Sequence, residues 1–254
     1  MPTLSRLATP FIALLLGACA AAPAKRDPRD PFERVNRSIY KFNDGFDRAV
    51  AKPIAHGYRA ATPQFVRTGV SNFFDNLHYP TTIVNDVLQA KVKSFFSDTG
   101  RFVLNSTLGV GGLFDPATSA GLDKNTRDLG QTFGKWGIGT GPYLMLPFLG
   151  PTDVRDAVGR GGDTFTTPQY YLLNFWPSAG LFAVEAVDTR YRLLSTDAVL
   201  DAAYDRYAFI RNAYLQRRQF MVTGSSASKE EEDEQKLFEN LENTDQDGKT
   251  PPKE

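Results

Sequence analysis

Residues 30–53, DPFERVNRSIYKFNDGFDRAVAKP, decide the fold class. Asp30 stands as a cap, Pro31 takes the first helical position, where a missing N–H costs nothing, and Glu33 follows the cap by three residues. Together they predict a helix start. Phe32, Val35, Ile39, Phe42, Phe46 and Val50 then recur every three or four residues, one apolar stripe along a helix that Lys52-Pro53 is expected to end.

The same pattern continues outward from this segment. Thr62-Pro63 repeats the start signal, and Val66, Val70, Phe73, Phe74 and Leu77 supply the next stripe before Tyr79-Pro80. A third stretch, from Thr81 to about Asn105, carries Ile83, Val84, Val87, Leu88, Val92, Phe95, Phe96, Phe102 and Val103, with Gly100 as its candidate break. Near the end, Leu200, Ala203, Tyr204, Tyr207, Ile210 and Tyr214 line one helical face. Asp197, Asp201 and Asp205 precede Arg211, Arg217 and Arg218 there, the order that complements a helix dipole. No stretch sustains a period-two alternation bounded by hairpin turns. The chain is therefore predicted to be all-α, a single helical domain over 30–223, and it carries no self-similar block that would make a solenoid.

The middle of the chain is unusually apolar. Residues 136–152 and 164–184 contain no charge, and the second stretch is long enough by count to cross a hydrocarbon core. Neither reads as a plain spanning helix. Gly137, Gly139, Gly141, Pro142, Pro147, Gly150 and Pro151 interrupt the first, and Pro168 and Pro177 the second. Tyr170, Tyr171, Phe175 and Trp176 form an aromatic group of the kind favoured where a bilayer meets water, a candidate membrane-interface set. Two readings stand side by side: kinked segments packed inside a water-soluble domain, or broken apolar segments dipping into one leaflet.

The two ends differ from the middle. Arg6 precedes an apolar run from Leu7 to Leu16, the layout of a bacterial export signal over residues 1–18. The run closes Leu16-Gly17-Ala18-Cys19, which resembles a lipobox, and Cys19 is the chain's only cysteine, so it is the candidate lipid anchor. An ordinary signal peptide cut nearby is the alternative. More than one acyl chain would make the tether stable, which favours the leaflet reading. Ala20 points, by resemblance to sorted lipoproteins, to the outer membrane, and residues 19–29 read as a lipidated flexible spacer. Residues 224–254 hold ten acids against four lysines and end in Pro251-Pro252. Too little apolar area is available there to offset ordering, so they read as an acidic disordered tail.

Lysine plus arginine equals aspartate plus glutamate over the whole chain, 29 against 29, which disfavours a nucleic-acid binder. Known catalytic patterns are missing: there is no nucleophile elbow, S-x-x-K, Walker A or H-E-x-x-H motif. Gly137-Ile138-Gly139-Thr140-Gly141 is followed by Pro142, with no strand before it, and does not read as a nucleotide loop. His56 and His78 stand apart, and Asp153 and Asp156 flank Arg155 as helix-start acids with an ion pair. No catalytic, metal or cofactor site is predicted.

Against that background the chain resembles the VacJ/MlaA family of outer-membrane lipoproteins from about Asp30 to Thr223. The resemblance is carried by Asp30-Pro31, Asn36-Arg37, Tyr40-x-Phe42-Asn43, Ser71-Asn72-Phe73, Asn76-Leu77, Asn85, Leu88-Gln89, Arg101-Phe102 and Asn105. It continues through Gly109-x-Gly111-Gly112 with Asp115, Gly130-Gln131-Thr132-Phe133, Trp136-Gly137, Gly141-Pro142-Tyr143, Leu146-Pro147, Gly150-Pro151, Arg155-Asp156, Arg211-Asn212-Ala213-Tyr214 and Gln216-Arg217. One departure is Ala90, where members often place glycine. The resemblance implies an α-helical ring in one leaflet of the outer membrane of a Gram-negative bacterium, facing the periplasm, with a central amphipathic channel. It further implies a non-enzymatic protein that associates with a trimeric outer-membrane porin. Such a protein removes mislocalised phospholipids from the outer leaflet and passes them to a soluble periplasmic carrier of the MlaC type, maintaining lipid asymmetry. A structural porin-associated lipoprotein without transfer activity is the alternative. Within this picture the Gly/Pro-rich positions from Gly137 to Pro151 are candidate hinges at the channel mouth. Arg211, Arg217 and Arg218 are candidates for headgroup or carrier contact, with a solvated helix end as the plainer reading.

Overall fold

A computed structural model describes residues 27–224. The expected export signal, Cys19 with Leu16, Gly17 and Ala18, most of the spacer and nearly all of the acidic tail lie outside the described residues.

The first predicted helix runs as α1, Glu33–Phe46, widens into a π-helical turn, Asp47–Ala51, and resumes as α2, Lys52–Ala61. Pro53 therefore does not end it. The proline sits in the first turn of α2, and in the widened turn before it the Lys52 N–H reaches back to the Asp47 carbonyl, so the chain makes room for a ring that an ordinary α-turn would exclude. The start differs too. Phe32, not Asp30, is the cap, because the Asp30 carboxylate is drawn into the interior.

Helix α3, Gln64–Leu77, starts behind Pro63, and α4, Tyr79–Leu88, carries Pro80 in its first turn. Helix α5, Val92–Thr107, contains Gly100 unbroken. The break falls instead at Ala90, whose φ of 54° lies in the left-handed region. An L-residue there costs about 1–2 kcal/mol. Ala90→Gly should therefore stabilise the protein by about 1 kcal/mol. In a chain of this size that is a rise of about 2–4 °C in the thermal midpoint, and a fall would show that the turn is not strained.

Short helices α6, Pro116–Ser119, and α7, Leu129–Lys135, are capped by Asp115 and Asp128. An antiparallel hairpin follows, β1 Tyr143–Leu146 and β2 Gly150–Asp153, with Tyr143 opposite Asp153 and Leu146 opposite Gly150. Four residues per strand are too few to leave a periodic trace in the sequence. Helix α8, Val154–Asp163, then α9, Pro168–Leu172, α10, Phe175–Leu193, α11, Asp197–Ala202, and α12, Arg206–Thr223, complete the described chain. The single late helix suggested by the stripe from Leu200 to Tyr214 is two: the chain leaves α11 at Ala203, and the Asp205 carboxylate restarts it by accepting the Ala208 N–H at 3.1 Å. Among the described residues no helix is long and apolar enough to cross a membrane.

Packed neighbours form a closed circuit. Helix α1 lies on β1, β2 on α8 and α12, α8 on α7, α7 on α4, and α4 on α3 and α5; α3 meets α10, α10 meets α2, and α2 returns through the π-turn to α1. The fold is all-α apart from the hairpin.

Candidate functional site

Burial in this circuit is inverted. Among the described residues, buried hydrophobic side chains number seven, against twenty buried polar or charged ones. Asp, Arg and Asn are ordinarily the residues least often enclosed. Outside, Phe65, Leu172, Phe175 and Trp176 are each more than 70% exposed. Scattered exposed hydrophobics are normal, but an apolar exterior around a polar interior is not.

Most of the interior groups are paired with one another, as low-dielectric burial demands, though atoms such as Asn76 Oδ1 and Asp98 Oδ2 have no hydrogen-bond partner among the described residues. Arg101, fully enclosed, donates from Nε to the Tyr79 hydroxyl at 2.7 Å and from Nη2 to both Asp115 oxygens at 2.8 and 3.0 Å. Across the circuit, Gln89 Nε2 donates to Thr132 Oγ1 at 2.9 Å, Thr132 donates to Asn85 Oδ1 at 2.6 Å, and Asn85 Nδ2 donates to Asp163 Oδ1 at 3.2 Å. The Leu129 N–H completes the shell of Asp163 at 3.1 Å. Burial pushes the carboxyls of Asp163 and Asp98 up to about 6, Asp86 adding to the shift at Asp98.

Those shifts set a pH dependence. A carboxyl whose folded value lies above its unfolded value of about 3.9 binds its proton more tightly in the native state, so stability falls as pH rises between the two values. Acidifying from pH 7 toward pH 5 should raise the thermal midpoint. Asp163→Asn should flatten that slope, and an unchanged slope would show that Asp163 ionises normally.

The hairpin is fastened to α1 by two asparagines one heptad apart. Asn36 Nδ2 donates to the Tyr143 carbonyl at 3.0 Å while its Oδ1 accepts the Met145 N–H at 2.9 Å; Asn43 repeats this with the Leu146 carbonyl and the Phe148 N–H, both at 2.9 Å. Each side chain thus stands in for a strand neighbour. Asn36 also donates to Asp30 at 2.8 Å, and Asp30 accepts from Tyr207 at 2.5 Å and from Arg211 at 3.1 Å, tying α1 to α12. Both asparagines carry the family resemblance, yet no role was read for either; their spacing of seven, off the apolar stripe, was the available signal.

At the hairpin tip, Phe148 adopts φ 62° and packs edge-on against Phe42 and Phe46, both ring pairs at 5.1 Å. Leu146, Pro147, Gly150 and Pro151 form the strand ends and turn. Gly137, Gly139, Gly141 and Pro142 lie in the connection that leads into β1, where the Arg155 N–H donates to the Thr140 carbonyl at 3.1 Å. Two of these glycines differ. A Cβ on Gly139 would meet nothing within 4 Å, whereas Gly141 has φ 67° and would bring a Cβ to 3.2 Å from Val154.

Tyr170, Tyr171, Phe175 and Trp176 are all exposed, Tyr170 pairing edge-on with Tyr171 and Phe175 with Trp176. The late arginines divide. Arg211 is buried against Asp30 and Asp27, and Arg218 Nη1 and Nη2 bridge Asp128 at 2.7 and 2.8 Å, Nη2 also reaching Asp156 at 2.8 Å. Both spend their charge inside the molecule, because α12 turns that face toward α7 and β2. Arg217 alone of the three is exposed. Asp153 caps α8 by accepting the Asp156 N–H at 2.8 Å, and His78 pairs with Glu185 at 2.6 Å, which raises the imidazole's affinity for its proton.

Comparison with known proteins places this arrangement among relatives. The family model described as MlaA lipoprotein matches residues 28–221. A protein of Escherichia coli strain K12 described as the intermembrane phospholipid transport system lipoprotein MlaA is 35% identical over 223 residues, 86% of this chain and 88% of its own length. One with the same description from Haemophilus influenzae is 32% identical over 203 residues, 76% of this chain and 79% of that protein. An uncharacterised protein of Rickettsia bellii is 36% identical over 199 residues, 78% of each. A solved structure from work on the structural basis for maintenance of bacterial outer membrane lipid asymmetry superposes with a TM-score of 0.71 at 38% identity, covering 78% of this chain and all of that one.

Proposed function

Because this chain belongs to the MlaA lipoprotein family, we propose that it is an outer-membrane lipoprotein that transports phospholipid and so maintains the lipid asymmetry of that membrane. The inverted burial carries the reading. An apolar exterior is at rest only against hydrocarbon, and burying one large apolar side chain is worth about 1.5–3 kcal/mol. A closed circuit of short helices, none of them a spanning helix, fits a ring seated in one leaflet.

On this reading the acyl chains on Cys19 hold the ring in the periplasm-facing leaflet, Tyr170, Tyr171, Phe175 and Trp176 lie at its interface with water, and the passage at the centre of the ring offers headgroups a polar route. Phospholipid mislocalised in the outer leaflet enters there and leaves to a soluble periplasmic carrier, with a trimeric porin holding the ring in place. The protein hydrolyses nothing; it lowers a barrier between two lipid environments. The connection around Gly139 and the hairpin it feeds act as the hinge at the mouth. Gly139→Ala tests the hinge cleanly because its Cβ meets open space, whereas at Gly141 backbone strain would confound the result.

The test is reconstitution of the full lipidated chain in vesicles carrying a labelled phospholipid, with a soluble lipid-binding acceptor outside. Transfer of intact lipid that depends on the protein is expected. Tight porin binding with no transfer would replace this reading by that of a structural tether, and cleaved lipid would replace it by an enzyme.

A further inference from the structure

The turn between α4 and α5 is held against the end of α7 by two bonds: Gln89 Nε2 to Thr132 Oγ1 at 2.9 Å and Trp136 Nε1 to the Leu88 carbonyl at 3.1 Å. That contact brings Lys91, at the start of α5, beside Lys135, at the end of α7, with Lys93 following on α5. Among the described residues none of the three has a carboxylate within ion-pair distance. Asp86, the acid that acts on Lys91, is fully buried and already engaged by Arg127. By contrast Lys52 is paired with Asp197, and Lys124 with Asp75 and Asp115. The Lys91 ammonium is held below its usual range by burial and then by the charges of Arg127 and Lys135, so the cations crowd one another rather than neutral partners. Around them Val87, Val92, Phe96 and Trp136 are each more than half exposed.

Uncompensated cations at the edge of an exposed apolar surface match one kind of ligand. A nucleic acid would leave the apolar rim wet, and a free phosphate would leave it unused. A lipid with a net negative headgroup satisfies both parts: lysine stems lie along acyl chains while their ammonium groups reach the headgroup. We propose that Lys91 and Lys135 form a binding site for the phosphate-bearing headgroup of an anionic phospholipid, whose acyl chains lie against Val87, Val92, Phe96 and Trp136. The site gives the protein a preference among phospholipids, and it rests on the phospholipid-transport reading.

The experiment is vesicle flotation and lipid transfer with the full chain, comparing pure phosphatidylcholine with phosphatidylcholine containing phosphatidylglycerol. Wild type should favour the phosphatidylglycerol vesicles. Lys91→Gln with Lys135→Gln should reduce that preference by roughly 25-fold, since each lysine near an anionic surface contributes on the order of a fivefold effect. Binding to pure phosphatidylcholine should be unchanged, and Lys91→Glu with Lys135→Glu should reverse the preference. An equal preference in wild type and both variants would overturn the proposal. So would its abolition by millimolar inorganic phosphate at constant ionic strength, which would make this a free-phosphate site, or a loss of porin binding with lipid preference intact, which would make it a protein contact. Failure of wild type to move either lipid would strike the transport reading alone, because flotation still reports the headgroup preference.

Discussion

Arg101→Ala should remove about 3–5 kcal/mol of stability, the range for stripping one partner from a buried ion pair. That is a large part of the roughly 5–15 kcal/mol a folded domain possesses. Arg101 is fully enclosed, and besides Tyr79 and Asp115 its Nη1 donates to the Leu122 carbonyl and to Thr118 Oγ1, the latter at 3.2 Å. Four elements or loops meet on one guanidinium, so truncation opens a cavity and orphans acceptors in all of them. Burial pulls the Asp115 carboxyl upward, yet the bonds from Thr118, Asn105 and Lys124 hold it well below the usual carboxylate range. It stays charged when its arginine is gone. Adding Asp115→Asn to Arg101→Ala should therefore recover part of the loss, giving a coupling energy above about 1 kcal/mol. Arg101→Lys should recover little, because one ammonium cannot reproduce the planar fork. Unfolding by denaturant in mild detergent, with Asp115→Asn alone closing the cycle, measures all of these, and a loss below about 1 kcal/mol for Arg101→Ala would mean that the site is wetter than its burial implies.

Gly159→Ala should be nearly as damaging, at about 3 kcal/mol, the upper end for overpacking. Helix α8 crosses α7 at this glycine so closely that a Cβ would press on the Gly130 amide nitrogen, with the Gly130 Cα at 2.9 Å and the Leu129 carbonyl carbon at 3.1 Å. Backbone cannot rotate out of the way as a side chain can. The helices would have to part, and the bridge that Arg218 makes between Asp128 on the α7 side and Asp156 on α8 would open with them. Gly161→Ala, two residues along the same helix, meets nothing within 4 Å and should be neutral or stabilising by up to about 1 kcal/mol. If both substitutions behave alike, helix propensity rather than the crossing governs this segment.

Much of the helical plan was legible because amphipathic stripes and prolines report on local structure. The start at Pro63, the boundary at Tyr79-Pro80 and the acids of α8 follow from spacing alone. What escaped was decided by tertiary demand. Asp30 has every local mark of a cap but serves Tyr207 and Arg211, residues far along the chain. Pro53 has the mark of a terminator but is absorbed by a widened turn. The turn at Ala90 showed only through the resemblance, in which members often place glycine there, because alanine itself gives no sign of a left-handed backbone, while Gly100, which does suggest a break, lies in a regular helix. Among the candidate site residues, the exposed aromatics could be anticipated from composition. The inward arginines could not, since only the packing of α12 distinguishes Arg218 from Arg217.

The π-turn at Asp47–Ala51 works as a phase shifter. Successive residues of an α-helix advance by about 100° around its axis, so one surplus residue rolls everything downstream by about that angle. Before the insertion the rod shows Phe42 and Phe46 to its surroundings; after it, in the helix that packs against α10, Ala55 is fully enclosed. A single rod thereby serves two orientations without a loop. Excising one residue from the bulge would straighten the helix and improve its hydrogen bonding, yet it would wind α2 back and swing a larger side chain against α10, so a locally better helix would close a worse circle.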